Sequence, residues 1–192
     1  MYKLFNIGKV TFVVFFAFAI SFHGFSQDFN RIDSLKGRLK DVSEKNKIDV
    51  LRLISLAYAE QDTVQALHYI NIAYDMSVQQ SDSTKMIRTG VIKVLLLQWL
   101  DKMEELIVVG NVLLPIAEHN RNQYELKIIL NSLAAAYTEK GKYDESLKYN
   151  LRSLIAREAD GDKSEISISL SNIGLVYYRL KSYKRAIEYN KR

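Results

Sequence analysis

The chain has 192 residues, of which 48% are hydrophobic and 26% are charged, values typical of a folded globular protein. One proline, eight glycines and no cysteine disfavour a turn-rich β-sandwich, exclude disulfides and thiolate metal sites, and favour long helices. The net charge of +5 falls to +3 without the first 26 residues, which contain Lys3 and Lys9 but no acidic residue. Because the remaining charges of both signs are interspersed, we expect no nucleic acid to bind through this region.

The N-terminal segment predicts export. Residues 1–9 carry two lysines, residues 10–22 are almost continuously apolar, and Gly24 and Ser26 are small residues before Gln27. This is the three-part pattern of a signal peptide spanning residues 1–26, and it places the protein in the periplasm or outside the cell. An uncleaved membrane anchor is the alternative, although roughly 20 apolar residues are needed to span a bilayer as a helix.

Amphipathic helices are predicted along the rest of the chain. In residues 28–46 the apolar residues recur at steps of three or four, and residues 27–46 are interpreted as an N-terminal capping helix. Residues 47–192 then form an array of about four helical pairs. The predicted pairs are 49–60 with 63–79, 84–100 with 102–119, 124–140 with 143–157, and 164–180 with 183–192. Pro115 is expected to bend or end its helix.

The last pair is shorter than the others, so we expect that the native chain continues past residue 192 or that the reading frame is truncated.

One pattern recurs at even spacing through these pairs. Its matching positions are Ala66, Leu106, Ser146 and Ala186. A fixed period in the range of roughly 20 to 50 residues is typical of a repeat array, and this spacing lies within that range. Most tyrosines occupy the predicted core positions of the array, and Tyr149 and Tyr178 are expected to point away from the core.

The third and fourth copies carry a family resemblance. Residues 133–137 (LAAAY) are followed by residues 141–146 (GKYDES), and residues 173–177 (IGLVY) by residues 181–186 (KSYKRA). This pattern resembles the tetratricopeptide repeat, in a form with a long period of about 40 residues as in exported bacterial proteins. The resemblance implies an all-α fold, a right-handed α-solenoid of antiparallel helical hairpins whose last unit is incomplete.

The resemblance also implies that a protein or peptide ligand binds in a concave groove formed by the first helix of each pair. The residues expected to face this groove are Arg52, Gln98, Trp99, Asn131, Tyr178 and Arg179; ordinary solvated or packed helix positions are the alternative for each. Only Asn172 resembles a member of the set that clamps a terminal carboxylate, so no such clamp is expected. The competing function is the extracytoplasmic sensor domain of a bacterial signalling protein, a histidine kinase or a DNA-binding regulator, whose output region lies beyond residue 192.

No residue pattern indicates catalysis. Residues 139–143 lack the glycine spacing of a phosphate-binding loop, and residues 160–171 lack the glycine and glutamate of a calcium loop. His68 and His119 are distant from each other and make no zinc site without further ligands, and no serine lies in a nucleophile elbow. We therefore expect neither an enzyme nor a bound cofactor or metal.

Overall fold

The computed structural model describes residues 25–121 and 123–192, and every regular element in these ranges is an α-helix. The helices are α1 Phe25–Asp41, α2 Glu44–Tyr58, α3 Thr63–Gln79, α4 Ser83–Trp99, α5 Met103–His119, α6 Gln123–Glu139, α7 Tyr143–Asp160, α8 Lys163–Arg179 and α9 Tyr183–Lys191. Residues 1–24, which contain most of the predicted signal peptide, lie outside the described residues. No helix in the described ranges is sufficiently long and apolar to cross a bilayer.

The helix starts repeat at even intervals from one helix to the next, and therefore also from one hairpin to the next. From α3 onwards the helices begin at positions 63, 83, 103, 123, 143, 163 and 183. The turns carry a residue with positive φ at the same interval, namely Ser81, Asp101, Arg121, Gly141, Gly161 and Lys181. In most of these turns the residue after the one with positive φ donates its backbone N–H to the carbonyl five residues earlier in the preceding helix, as from Lys142 to Tyr137 at 2.9 Å. Such bonds satisfy carbonyls that the end of a helix would otherwise leave unpaired.

Aspartates fix the start of three helices. Asp62, Asp82 and Asp162 each accept hydrogen bonds from backbone N–H groups in the first turn of α3, α4 and α8. A carboxylate at this position pairs otherwise orphaned donors and favours the positive end of the helix dipole. The short polar links between helices are therefore determined locally.

The clearest differences from the predicted boundaries lie in α1, α2 and α7. The first helix ends at Asp41 rather than at residue 46, because Ser43 is extended and α2 begins at Glu44. Helix α5 ends at His119, as the predicted range 102–119 has it, so Pro115 does not end the helix. Since Pro115 and Asn111 are both exposed, water can reach the Asn111 carbonyl that a proline leaves without a donor. Helix α7 extends to Asp160, where Gly161 with φ 76° closes it.

The helices pack in two layers. Consecutive helices contact each other, and α4 also contacts α6. Residues of α2, α4 and α6 line one depression and a hydrogen bond joins α6 to α8, so these four first helices form one layer. The second layer contains α3, α5, α7 and α9. The repeated positions Ala66, Leu106 and Ser146 are 0% exposed and Ala186 is 6% exposed, as their small or apolar side chains predict. A solenoid of antiparallel helical hairpins is therefore confirmed.

Close contacts and ion pairs join one unit to the next. A Cβ atom on Gly110 would lie 2.7 Å from Cδ2 of Leu133, so glycine permits α5 and α6 to approach. On the second helices Arg152 forms an ion pair with Glu118, and one repeat later Arg192 forms the same pair with Glu158. The interfaces between units thus share their geometry as well as their period.

Stacked tyrosines join the two helices of three hairpins. The pairs are Tyr58 with Tyr69, Tyr137 with Tyr149, and Tyr177 with Tyr189, with ring centroids 5.4 to 5.6 Å apart. Tyr149 is only 8% exposed, and its hydroxyl donates a hydrogen bond to Asn111 at 3.1 Å. The prediction that Tyr149 points away from the core is therefore wrong, because stacking turns its ring towards Tyr137.

Candidate functional site

A depression crosses the layer of first helices. Five residues from three hairpins line it: Arg52 of α2, Arg88 and Val91 of α4, and Tyr124 and Glu125 of α6. Its volume is about 280 Å³, and we call it the inner groove. Because each hairpin contributes only one or two of these side chains, the groove exists only when the units stack.

The inner groove combines an apolar floor with charged walls. Val91 is 7% exposed and forms part of the floor, whereas Tyr124 is 66% exposed at the side. Arg88 is exposed, and the Glu125 carboxylate introduces the opposite charge. A ligand segment with both apolar and charged groups would match this lining.

Arg52 has hydrogen-bonding capacity to spare. Its Nε atom is buried and has no hydrogen-bond partner among the described residues, and it lies 3.9 Å from Oδ1 of Asp49. Asp49 lies within ion-pair distance of this atom, in the same helix. The Arg52 side chain is 27% exposed, and a guanidinium has further N–H donors that can bind a ligand carboxylate or carbonyl.

The other predicted groove residues are distributed along the first helices. Gln98 and Trp99 lie at the end of α4, where Oε1 of Gln98 is buried without a partner in the described structure and Trp99 is 69% exposed. Asn131 of α6 accepts a hydrogen bond from Nδ2 of Asn172 in α8 at 3.0 Å, so its side chain joins two units. None of these three lines the inner groove.

Tyr178 and Arg179 lie at the end of α8. Tyr178 is 59% exposed and lines a second depression with Tyr183, the two ring centroids being 5.7 Å apart. The Nε atom of Arg179 is buried and has no hydrogen-bond partner in the described part of the chain. Among the six predicted residues, only Arg52 lines the inner groove and only Tyr178 lines the second depression.

Sequence reasoning missed Arg88, Tyr124 and Glu125 as groove residues. Whether these residues line the groove depends on which turns of α4 and α6 lie beside Arg52. The angle at which the hairpins stack determines those turns. Arg88 could have been proposed from the sequence, because it is a basic residue in the first helix of the second pair, as Arg52 is in the first. Nothing in the sequence distinguished Tyr124 from any other exposed tyrosine.

A separate ionic cluster holds α6, α7 and α8 together. The Lys127 ammonium lies 2.6 Å from Asp160 and 2.9 Å from Glu165, and the Arg157 guanidinium donates to the Ser169 hydroxyl at 3.0 Å. The hydrogen bond to Asp160 holds the pKa of Lys127 above its usual value, whereas burial lowers the pKa of Arg157. The charges of Lys127 and Arg157 are paired with Asp160 and Glu165, so we assign the cluster to structure.

No group of histidine, aspartate and glutamate residues suited to hold a metal ion occurs within residues 25–121 and 123–192.

The fold and the groove define the class of protein: an α-solenoid whose accessible inner surface is assembled from successive helical hairpins. A family model described as tetratricopeptide repeat matches residues 125–192, which contain most of the third hairpin and all described residues of the fourth. The match supports tetratricopeptide repeats in this part of the chain. No curated protein matches the chain by sequence.

Three solved structures show the same fold. BtubC (BKLC) from P. vanneervenii is 16% identical with a TM-score of 0.77, over 87% of this chain and 72% of that one. A Signal Transduction ATPase with Numerous Domains (STAND) protein with a tetratricopeptide repeat sensor, PH0952 from Pyrococcus horikoshii, is 21% identical with a TM-score of 0.73, over 84% of this chain. This chain spans only 25% of the length of PH0952.

The third structure is a putative kinesin light chain from Podosopora anserina with nearly identical TPR-like repeats. It is 13% identical with a TM-score of 0.72, over 86% of this chain and 84% of that one. Identities this low establish likeness of fold alone.

Proposed function

We propose that this chain is a protein- or peptide-binding scaffold in an exported protein. The observation that carries the proposal is the inner groove, where Arg52, Arg88 and Tyr124 from three hairpins surround one depression. Repeat solenoids of this kind use the extended surfaces created by stacking to bind other proteins. The signal-peptide pattern of residues 1–26 supports export.

The chemistry of the inner groove favours an extended segment that carries an acidic residue beside an apolar one. The two arginines can donate to a carboxylate, and bidentate pairing is stronger than a neutral hydrogen bond. The side chain of Val91 and the ring of Tyr124 offer apolar contact to the neighbouring ligand residue. Catalysis forms no part of the proposal, since a repeat fold of this kind is typically a scaffold.

A random-peptide display library selected on the purified chain tests the proposal. Peptides that bind the inner groove should lose about tenfold or more in affinity towards the double variant Arg52→Ala/Arg88→Ala, as expected when charge-assisted contacts are removed. Arg121→Ala, an exposed arginine in a turn outside the groove, is the matched control. Selected peptides that bind the double variant and the wild type equally would contradict the assignment of the groove.

A sensor domain of a longer signalling protein is the second candidate. It is supported by the likeness of fold to PH0952, which is described as carrying a tetratricopeptide repeat sensor. Sequencing the gene past the codon for Arg192 tests it. An apolar stretch of about 20 residues followed by a kinase or DNA-binding region would favour the sensor, and a stop codon would reject it.

Export itself is tested by fractionating the source cells and sequencing the N-terminus of the purified protein. A mature chain that starts at Gln27 in the periplasm or medium would agree with the proposal. A chain recovered in the cytoplasm with Met1 intact would contradict it.

A further inference from the structure

The inner groove holds two side chains of opposite charge that do not pair. Arg88 of α4 and Glu125 of α6 both line it. Neither side chain forms an ion pair, within 4.0 Å, with any residue in the described ranges. They therefore do not pair with each other, although they border the same depression of about 280 Å³. The groove keeps a positive and a negative group apart.

The repeat shows why the carboxylate of the inner groove has no partner. Glu165 occupies the same position one unit later, and its carboxylate lies 2.9 Å from Lys127 and 3.7 Å from Arg157. The residues that correspond to these two cations one unit earlier are Ile87 and Ala117, which are 1% and 0% exposed. Because both are apolar, the contact that neutralises Glu165 is not available in the inner groove.

The arginines of the groove also keep their binding capacity. Arg88 is exposed. Arg52 lies 3.9 Å from Asp49, one turn earlier in the same helix, and both side chains are partly exposed. Such a pair contributes only about 0–1 kcal/mol, so a ligand carboxylate can replace it. A carboxylate that accepts from two guanidinium groups gains charge-assisted hydrogen bonds.

The charges of the groove are ordered along the solenoid. The arginines come from α2 and α4, and Glu125 comes from α6. Packed helices lie about 8–10 Å apart, and an extended chain advances about 3.3–3.6 Å per residue. An extended ligand that reaches from the arginines to Glu125 therefore needs about three residues. Val91 and Tyr124 line the same depression and offer apolar contact to the residues that connect the two charged ends.

We propose that Glu125 determines the specificity of the inner groove and that the ligand segment carries both charge signs. An acidic residue of the ligand lies beside Arg52 and Arg88, and a lysine or arginine about three residues away lies beside Glu125. The inference rests on the proposed peptide-binding function and describes its ligand in more detail. A purely acidic segment would place like charge beside Glu125, and a purely basic segment would meet the two arginines. Since Glu125 is half-buried, solvent screens its charge less than that of an exposed group.

Parallel selections test the proposal. The random-peptide display library is selected on the wild type and on Glu125→Arg. Peptides selected on the wild type should carry an acidic residue and, about three residues away, a basic one. Peptides selected on Glu125→Arg should lose the basic residue and gain a second acidic one. Glu139→Arg, at an exposed glutamate at the end of the same helix and outside the groove, is the matched control and should return the wild-type pattern.

A charge exchange measures the contact directly. One peptide selected on the wild type is synthesised with blocked ends, and in a second version its basic residue is replaced by glutamate. Fluorescence anisotropy at low salt should show that Glu125→Arg weakens binding of the first peptide about tenfold or more and strengthens binding of the second. A variant that merely disturbed the fold would not strengthen binding of either peptide. Circular dichroism shows that each variant is folded.

The outcomes distinguish this proposal from the proposed scaffold function. Selected peptides that depend on Arg52 and Arg88 but bind the wild type, Glu125→Gln and Glu125→Arg equally would overturn the role of Glu125 and leave the scaffold function standing. Wild-type selections without a basic residue at that spacing would have the same meaning. If no selected peptide depended on the two arginines, both proposals would fail. A preference for the mixed-charge peptide that declines as salt is added would support the ionic contact.

Discussion

Two glycine-to-alanine substitutions should have opposite effects on stability. Gly37 in α1 has no neighbouring atom within 4 Å of an added Cβ, whereas on Gly110 in α5 the Cβ would lie 2.7 Å from Cδ2 and 3.0 Å from Cγ of Leu133. Alanine gains about 1 kcal/mol over glycine from helix propensity at both positions. At residue 110 this gain is opposed by overpacking, because Leu133 is 0% exposed and has little room to move.

The size of the difference follows from these contacts. Van der Waals contacts to a real Cβ are ordinarily 3.4 Å or longer, so Leu133 or a helix would have to shift by several tenths of an ångström. Overpacking in a dense core costs about 1–3 kcal/mol. Since the propensity gain cancels in the comparison, Gly110→Ala should be about 1–3 kcal/mol less stable than Gly37→Ala. For a chain of this size the midpoints of thermal unfolding should differ by about 2–12 °C.

Urea unfolding followed by circular dichroism measures both variants. Leu133→Ala made in the wild type and in the Gly110→Ala variant then measures the coupling, expected to be about 0.5–3 kcal/mol in favour of the double variant. If Gly110→Ala stabilised the protein as much as Gly37→Ala, the close approach of α5 and α6 would be refuted.

Three further predictions concern stability. Ser146→Ala should lower the free energy of unfolding by about 1–3 kcal/mol in urea titrations, because buried Thr138 and Asn150 lose the hydroxyl that they contact at 2.6 and 3.2 Å; Ser167→Ala, at an exposed serine, should change nothing. Pro115→Ala should raise the unfolding free energy by up to about 3 kcal/mol, and with it the midpoint of thermal unfolding, since alanine supplies the missing N–H. An unchanged midpoint would show that the helix accommodates proline without cost. Lys127→Met should destabilise the protein at pH 8, and the loss of unfolding free energy should shrink as the pH rises above 10.5. A lysine pKa that is higher in the folded than in the unfolded chain stabilises the fold below the unfolded pKa, and this stabilisation disappears as the folded group deprotonates. A loss that does not change with pH would reject the ionic explanation.

The helices were predictable because their signals are local. Apolar spacing and the polar links between helices determined the starts of α3 to α9 to within one residue. The boundary between α1 and α2 lies at Ser43, an N-cap residue type that the prediction did not use. Continuation of α5 past Pro115 depended on exposure, since a proline at a buried position would leave the Asn111 carbonyl without a water partner.

Side-chain direction was harder to predict than helix position. Tyr149 neighbours predicted core residues along its helix, so its ring was expected to point away from the core. Its burial results from stacking on Tyr137, a contact between two helices. The inner groove has the same kind of origin, because Arg52 and Tyr124 meet only through the angle at which three hairpins stack.

The chemistry of the inner groove indicates how it would select a ligand. The groove has arginine, glutamate and tyrosine side chains around a small apolar floor, so specificity there comes from hydrogen bonds and charge pairing. Arg52→Ala should therefore weaken binding of peptides that carry a carboxylate more than binding of peptides that do not. The backbone of the solenoid repeats from helix to helix, and the specificity of the groove arises from side chains that do not repeat.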